Sequence, residues 1–526
     1  MNRMRFLMVC AVVFSVNSLG SASAATDPLG SVNPLPPSLE HKVGDFQEVL
    51  EANGYEFLRG YWDLWTAEDC KLPLQTLGTC YGNNPTAPYV LAMLPHWDDE
   101  FVDRKMHHAL AAGQRDMTPN YRLGEGEALV IMAEIPPPAR YFGLETNVFS
   151  REDSLNEEDP VYKLLADVPD LRAIIFHAAP NPDRRMLVSS IGNSVNNVVI
   201  EEQSKESWGQ QRFIVVTPDE DMADAMTQAL ASLEGVEANH VFTEPVSPDL
   251  VRLGYGPEAD DLITYIRYSM PNDLDLGEKW RNELPITVLR VRGPGSGVAG
   301  KPFPIPEYEQ KIANTDEGMF EDDLQSLVQA VKDYWDQDVL SFRFKSLSLW
   351  IDLIGQHCLG HTGAPVPPPE ISLPRGPMNC LGDIQDADYQ ISASHLLDSG
   401  EVIAVVGTLG TQTGNATYSS LSVNWFPALV GVQNRDDVVL EGSAQKFKDS
   451  LVNPYTKFYV YYFARDCNGL YPWCLEIPRT LVARGETVKF VQRNYVNPGS
   501  RRGPDPTKIL NPFTIEFDGT KRPTSH

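Results

Sequence analysis

The stretch Ser189-Ser190-Ile191-Gly192-Asn193-Ser194-Val195-Asn196-Asn197 gathers hydroxyls and amides around one glycine. Ser194 follows a run, 186–190, that reads as a strand, and a strand end is a place where nucleophiles are often presented. Gly192 and the Asn side chains supply a tight turn and donors for an oxyanion. A neighbouring run, 172–177, also reads as a strand and ends in His177. A serine hydroxyl is a weak nucleophile until a base removes its proton. Ser194 with His177 is therefore the catalytic pair the sequence offers, for hydrolysis of an ester or a similar bond. The competing reading is a hydrogen-bonded Asn/Ser turn between strands.

Other clusters carry less chemistry. His357 and His361 stand four apart, so on a helix they would share a face and could take a metal. The zinc-protease pattern needs Glu after the first His, where Cys358 stands, and Gly360 weakens a helix there. His96-Trp97-Asp98-Asp99-Glu100, with His107 and His108 downstream, lacks a ligand triad of diagnostic spacing and reads as a solvated acidic turn. Gly295-Ser-Gly-Val-Ala-Gly300-Lys301 matches the start of a phosphate loop, but Pro302 replaces the Ser or Thr that holds magnesium and no helix can follow. No metal and no cofactor is expected. The loop Cys467–Cys474 carries Tyr471 and Trp473, which could stack on a ligand but are expected to pack structurally.

The elements that would position these residues are those of an α+β protein. A mixed α/β region spans 126–310, a helical segment 311–365 and a β-rich C-terminal domain 366–526, with an N-terminal region at 25–125. Strands are expected at 128–134, 140–149, 172–177, 186–190, 286–292, 402–409, 416–425, 457–463 and 487–494. Residues 402–409 and 416–425 flank a turn at Gly414-Asn415. Within 212–242 a buried strand, a helix capped by Asp219 and a returning strand form a β–α–β unit. Helices are expected at 38–52, 317–335 and 347–356.

Residues 1–24 join a basic start, an apolar run at 6–16 and small residues Ala22-Ser23-Ala24, the order of a secretory leader. The run is too short to span a ~30 Å hydrocarbon core, and nothing longer follows. The mature chain is expected to be secreted or periplasmic with no membrane span. A formal charge of −28 repels phosphate backbones, which argues against nucleic acid. Of seven cysteines, Cys10 lies in the leader. The remaining six fall into three near couples, Cys70–Cys80, Cys358–Cys380 and Cys467–Cys474, the expected disulfides. The first and last would contribute about 2–3 kcal/mol each by restraining the unfolded chain.

The Gly-Asn-Ser order is similar to the Gly-Asp-Ser block of SGNH hydrolases, but that family places its block near the mature N-terminus, and its Asp-x-x-His element has no match here. Arg140-Tyr-Phe-Gly-Leu-Glu-Thr146, Gly192-Asn-Ser-Val-Asn-Asn197, Thr411-Gln-Thr-Gly-Asn-Ala-Thr-Tyr418 and the Cys467–Cys474 loop together resemble a family of secreted proteins of unassigned function, and this resemblance implies no activity. Two functions follow as expectations. One is an extracytoplasmic hydrolase; the other is a non-catalytic secreted protein that binds a small-molecule or polymer ligand.

Overall fold

The computed structural model describes residues 33–523, apart from 349–358, 360–378, 295–299, 111–115 and shorter breaks at 67–68, 81–83, 86, 159–161, 164, 168, 178–180, 204, 383–384, 399, 427 and 429. The leader, His357, Cys358, His361 and most of the helix expected at 347–356 lie outside the described residues.

The N-terminal half is built on a 12-stranded sheet. Its main path runs Val241–Pro245, Gln211–Thr217, Glu127–Glu134, Ile286–Arg292, Glu56–Trp65, Tyr89–Pro95, Asp261–Pro271, Ala139–Glu152 and Arg184–Ser190. Neighbours on this path are antiparallel except the first two strands, which run parallel. A parallel pair needs a crossover, and the helix Glu220–Ala231 supplies it. Asp219 starts that helix by accepting from the backbone N–H of Asp221 and Met222, as the sequence predicts.

The helix Pro37–Ala52 buries Leu39, Val43, Phe46 and Leu50, spaced at three and four residues, against Met222, Met226, Leu230 and the sheet side chains Val130, Met132 and Phe213. Each such fully buried side chain contributes roughly 1.5–3 kcal/mol.

Two expectations are corrected here. The N-terminal region is not separate from 126–310, because Glu56–Trp65 and Tyr89–Pro95 lie in the middle of the same sheet. Arg59 and Asp63 break the apolar alternation of the first of these strands and hide it. The run 172–177 is not a strand: Pro169–Ile175 is a helix. Proline at the first helical position fits that start, and a short apolar run cannot by itself distinguish helix from strand.

In the C-terminal half two sheets pack face to face. One has the order Ser341–Arg343, Phe513–Asp518, Glu401–Thr408, Phe458–Ala464, Cys474–Glu476; the other Lys345–Ser346, Ala387–Ile391, Thr487–Tyr495, Tyr418–Phe426, Val430–Asp436. Ile403, Val405, Tyr459, Tyr461 and Phe463 of the first meet Leu421, Val423, Val488 and Phe490 of the second. The opposite face of the first sheet, with Val402, Ala404, Val460 and Ile515, packs on the helix Glu321–Trp335 through Leu324, Leu327, Val331 and Trp335. Both faces are covered, which is why Glu401–Thr408 and Phe458–Ala464 read as unbroken apolar runs. The strands flanking Gly414-Asn415 do not pair with each other but belong to different sheets.

Glu317 ties the inter-half segment to this sandwich. It is fully buried and accepts from Thr408 and Thr413 hydroxyls, from the Leu510 N–H and from Asn415 Nδ2. Asn415 is itself fully buried; its Nδ2 also donates to the Thr315 carbonyl and its Oδ1 accepts from the Thr315 N–H.

The halves meet over tyrosines: Tyr141 of the first stacks near Tyr418 and Tyr495 of the second. Tyr141 also donates to Asp386. Gly143 permits this approach, since a Cβ there would lie 2.8 Å from Tyr141 Oη and 3.1 Å from Asp386 Oδ2. Disulfides join Cys70 to Cys80 and Cys467 to Cys474. Cys380 is buried and disulfide-bonded, and Cys358, its expected partner, lies outside the described residues.

Candidate functional site

The Ser194 turn does not assemble a catalytic pair. Ser194 is buried, and its Oγ makes no hydrogen bond, so His177 is not its partner. The register explains why. The His177 carbonyl accepts from Met186 N–H, Met186 lies opposite Ser150, and Val195, next to Ser194, lies opposite Leu144. Six residues of the strand Ala139–Glu152 separate those two positions, roughly 20 Å at the rise of an extended chain. The amides of the turn serve the junction between halves. Asn193 Nδ2 donates to the Glu307 carbonyl, Asn196 Nδ2 donates to the Arg501 carbonyl, and Asn196 Oδ1 accepts from Val198 and Val199 N–H.

A different constellation comes together at the end of the strand Tyr89–Pro95. His96 follows that strand directly, and His107 lies on the helix Arg104–Leu110. Asp103 starts the helix: its Oδ1 accepts from the N–H of Lys105 and Met106, the usual way a carboxylate satisfies the first unpaired donors. Met106, Ala109 and Leu110 are buried at helical spacing and fix the face that the helix turns inward. As a result His96 Nε2 lies 3.3 Å from His107 Nδ1. His96 Nδ1 and Asp103 Oδ2 are both buried without a hydrogen-bond partner. Both residues line, with Glu100, His107, Asn120 and Asp261, a cavity of ≈ 10 Å³, about what one water molecule needs. Asn120 Oδ1 accepts from Thr118 Oγ1, leaving its NH2 group as the donor it brings to the wall.

The pocket is held by charges sealed inside the sheet. Arg290 donates to Glu127 Oε1 at 2.7 Å, to Glu100 Oε2 at 2.6 Å and to the Pro95 and Arg122 carbonyls. Glu100 also accepts from the N–H of Trp97 and Arg122, so both its oxygens are committed and it serves as scaffold. Trp97 Nε1 and Tyr255 Oη donate to Glu127, and Asp261 pairs with Arg122 and Arg184. Burial alone would lower the Arg290 pKa, but Glu127 and Glu100 override it and raise it. Burial lowers the pKa of His96; Glu100 opposes this and Arg290 reinforces it. His96 is therefore held neutral more firmly than an exposed imidazole.

The acidic turn expected at 96–100 is thus only half solvated. Asp98 and Asp99 are exposed while Glu100 and Asp103 are buried, and His108 is exposed. Among the described residues no group of three or more His, Cys, Asp or Glu side chains is arranged to hold a metal ion. The sequence contained one usable signal, the eleven-residue separation of His96 and His107 across a capped helix start. It was obscured because two histidines eleven residues apart match no diagnostic ligand spacing.

The remaining candidates have structural surroundings. Lys301 pairs with Glu220 and not with a phosphate pocket. In the Cys467–Cys474 loop Leu470 is buried and Trp473 packs against both C-terminal cores, while Tyr471 is exposed and donates to Glu476. Among the described residues no helix is long and apolar enough to cross a membrane.

No protein-family model matches the chain, and no curated protein matches it. Among solved structures it is similar to an uncharacterized protein from Burkholderia cenocepacia, 10% identical over 92% of this chain and 88% of that one, with a TM-score of 0.34. A likeness that loose carries no argument about fold or function.

Proposed function

We propose that the protein is an extracytoplasmic hydrolase acting on an ester or similar acyl bond, with a water molecule activated by His96 in place of a serine nucleophile. The observation that carries this reading is the pair of unpartnered buried atoms, His96 Nδ1 and Asp103 Oδ2, on one water-sized cavity. When His96 Nε2 donates to His107 Nδ1, Nδ1 of His96 bears no proton and accepts one from water. The water oxygen then bonds to the acyl carbon, the carbon–oxygen bond to the leaving group breaks, and the proton passes from His96 to the leaving alkoxide. The proton that Nδ1 takes from water is the one it returns to the leaving group, so one ring acts as base and then as acid while Nε2 keeps its hydrogen bond to His107. The cavity has room for a water molecule and not for a substrate, so the acyl group is met at its rim, where Phe101 is exposed. Export rests on the leader order and agrees with the formed disulfides.

The test is hydrolysis of a p-nitrophenyl ester by the exported protein. His96→Gln should lower kcat by about 10²-fold or more, the usual worth of a general base, with the melting temperature nearly unchanged. Ser194→Ala should leave kcat alone. The acid limb of the rate profile should lie below the ordinary histidine value of ~6.5, because burial lowers the His96 pKa. Turnover lost in Ser194→Ala with fluorophosphonate labelling would restore the serine mechanism; no turnover at all would leave a non-catalytic secreted binding protein.

A further inference from the structure

Asn120 stands directly opposite Ile263 in an antiparallel ladder, so the two side chains share a sheet face. Ile263 belongs to the core cluster that contains Met106, Ala109 and Leu110 of the helix Arg104–Leu110. The Asn120 side chain therefore lies on the face that this helix covers, and with His96, Asp103 and His107 it lines the water-sized cavity. It is buried.

Thr118 sets which way the Asn120 amide points. The Thr118 hydroxyl accepts from the Asn120 backbone N–H and donates to Asn120 Oδ1. Turning the amide over would leave that hydroxyl proton without an acceptor on a side chain that is 1% exposed, a costly arrangement. The NH2 group is thus the free end, and it makes no hydrogen bond to the described residues. The acidic side chains of the wall divide into two kinds. Glu100 and Asp261 have both oxygens engaged. Asp103 Oδ2, like His96 Nδ1, is a buried acceptor without a partner.

From this set of one donor and two acceptors around a water-sized cavity we infer, on the hydrolase reading above, that Asn120 is a further catalytic residue and restricts the acyl acceptor to water. A water oxygen has four tetrahedral directions. Its protons point to His96 Nδ1 and Asp103 Oδ2, and one lone pair receives the Asn120 N–H. The remaining lone pair is the one that bonds to the acyl carbon. An alcohol carries carbon in place of the second proton. That carbon would stand against Asp103 Oδ2, where ≈ 10 Å³ leaves no room for a methyl group beside the oxygen. Hydrolysis, and not acyl transfer to an alcohol, is the outcome the pocket selects.

The experiment is turnover of p-nitrophenyl butyrate by the intact exported protein in water–methanol mixtures, with butyric acid and methyl butyrate separated by chromatography. The native protein should release acid and no methyl ester above the enzyme-free blank. Asn120→Ala removes the donor and widens the cavity, so kcat should fall roughly tenfold or more and methyl butyrate should appear: the methanol oxygen bonds to the acyl carbon, its proton goes to His96, and nitrophenolate leaves. Asn120→Asp keeps the acceptor for Thr118 and the side-chain volume, so it should lower kcat as much and still yield acid alone. A merely structural Asn120 would shift the melting temperature without changing the product ratio. Methyl ester from the native protein, or Asn120→Ala with native kcat and acid alone, would overturn the inference. If His96→Gln is inactive while Asn120→Ala behaves as native, Asn120 alone falls; if the native protein turns over no ester, the hydrolase reading falls and Asn120 with it.

Discussion

In the N-terminal half Arg290 is fully buried between Glu100 and Glu127, whereas the equivalent interior of the C-terminal half packs Tyr461, Phe463, Val488 and Phe490. One core is held by charges whose desolvation must be matched atom by atom, the other by apolar area that tolerates small errors. The charged core is also the one beside the histidine pocket. Fixed ionic partners position His96 and Asp103 without contributing unpartnered oxygens, because both Glu100 oxygens are already occupied. The contrast teaches where precision is concentrated in this molecule: at the junction of strands that carry Arg290, Glu127 and Asp261, and not in the apolar interior between the two C-terminal sheets.

The contrast can be broken most sharply at Arg290. Arg290→Met leaves two carboxylates buried and unmatched and should cost about 3–5 kcal/mol, read as the urea midpoint. Combining it with Glu100→Gln and Glu127→Gln should recover part of that loss. No greater loss in the single variant than in the triple one would show that the charges are not a matched set.

A smaller effect is expected from pH. Burial raises the Glu244 carboxyl to about 7, against hydrogen bonds from Thr146 that lower it, and raises Asp386 to about 6, against the hydrogen bond from Tyr141. For a carboxyl raised by folding, the native state binds the proton more tightly than the unfolded chain. The stabilisation is complete below the unfolded values near 4 and is lost as pH rises through 6 and 7. Stability should therefore fall between pH 4.5 and 7.5. Glu244→Gln, which keeps acceptors and donors for Thr146, should remove a share on the order of 2 kcal/mol from that fall. A pH–stability curve with an unchanged slope would contradict the assignment.

The smallest effect belongs to the apolar core. Ile403→Val removes one methylene from a fully buried strand position and should cost about 0.5–1.5 kcal/mol. A loss as large as that of Arg290→Met would erase the distinction between the two cores.

The same distinction governed what could be read from the sequence. Val402-Ile-Ala-Val-Val406 and Phe458-Tyr-Val-Tyr-Tyr-Phe463 announce buried strands by composition alone, and the helix Glu321–Trp335 by its periodic Leu and Val. Asp261–Pro271 went unread although it is a long strand of the N-terminal sheet. Its Asp261 and Arg267 are buried charges, and a pattern that assigns charge to the surface cannot find them. Arg267 is enclosed by the hydroxyls of Tyr389, Tyr495 and Tyr89, partners more than a hundred residues away in sequence. The turn at Ser194 was legible as a turn, but its distance from His177 depended on register along Ala139–Glu152, which local spacing does not encode. His96 and His107 were visible as residues; that a capped helix start would bring their rings together was not.

The burial of Asn415 bears on which cells can make this protein. Asn415-Ala416-Thr417 is an acceptor for N-linked glycans in a eukaryotic secretory pathway, and the enzyme that attaches them meets the chain before it has folded. A sugar on Nδ2 would replace a hydrogen that Thr315 and Glu317 accept in the folded state and would have no space beside a side chain that is 0% exposed. Glycosylated chains would then be unable to dock the segment around Glu317 on the sandwich. Yield from yeast or insect cells should depend on whether Thr417 is replaced, whereas a bacterial host would be indifferent to it.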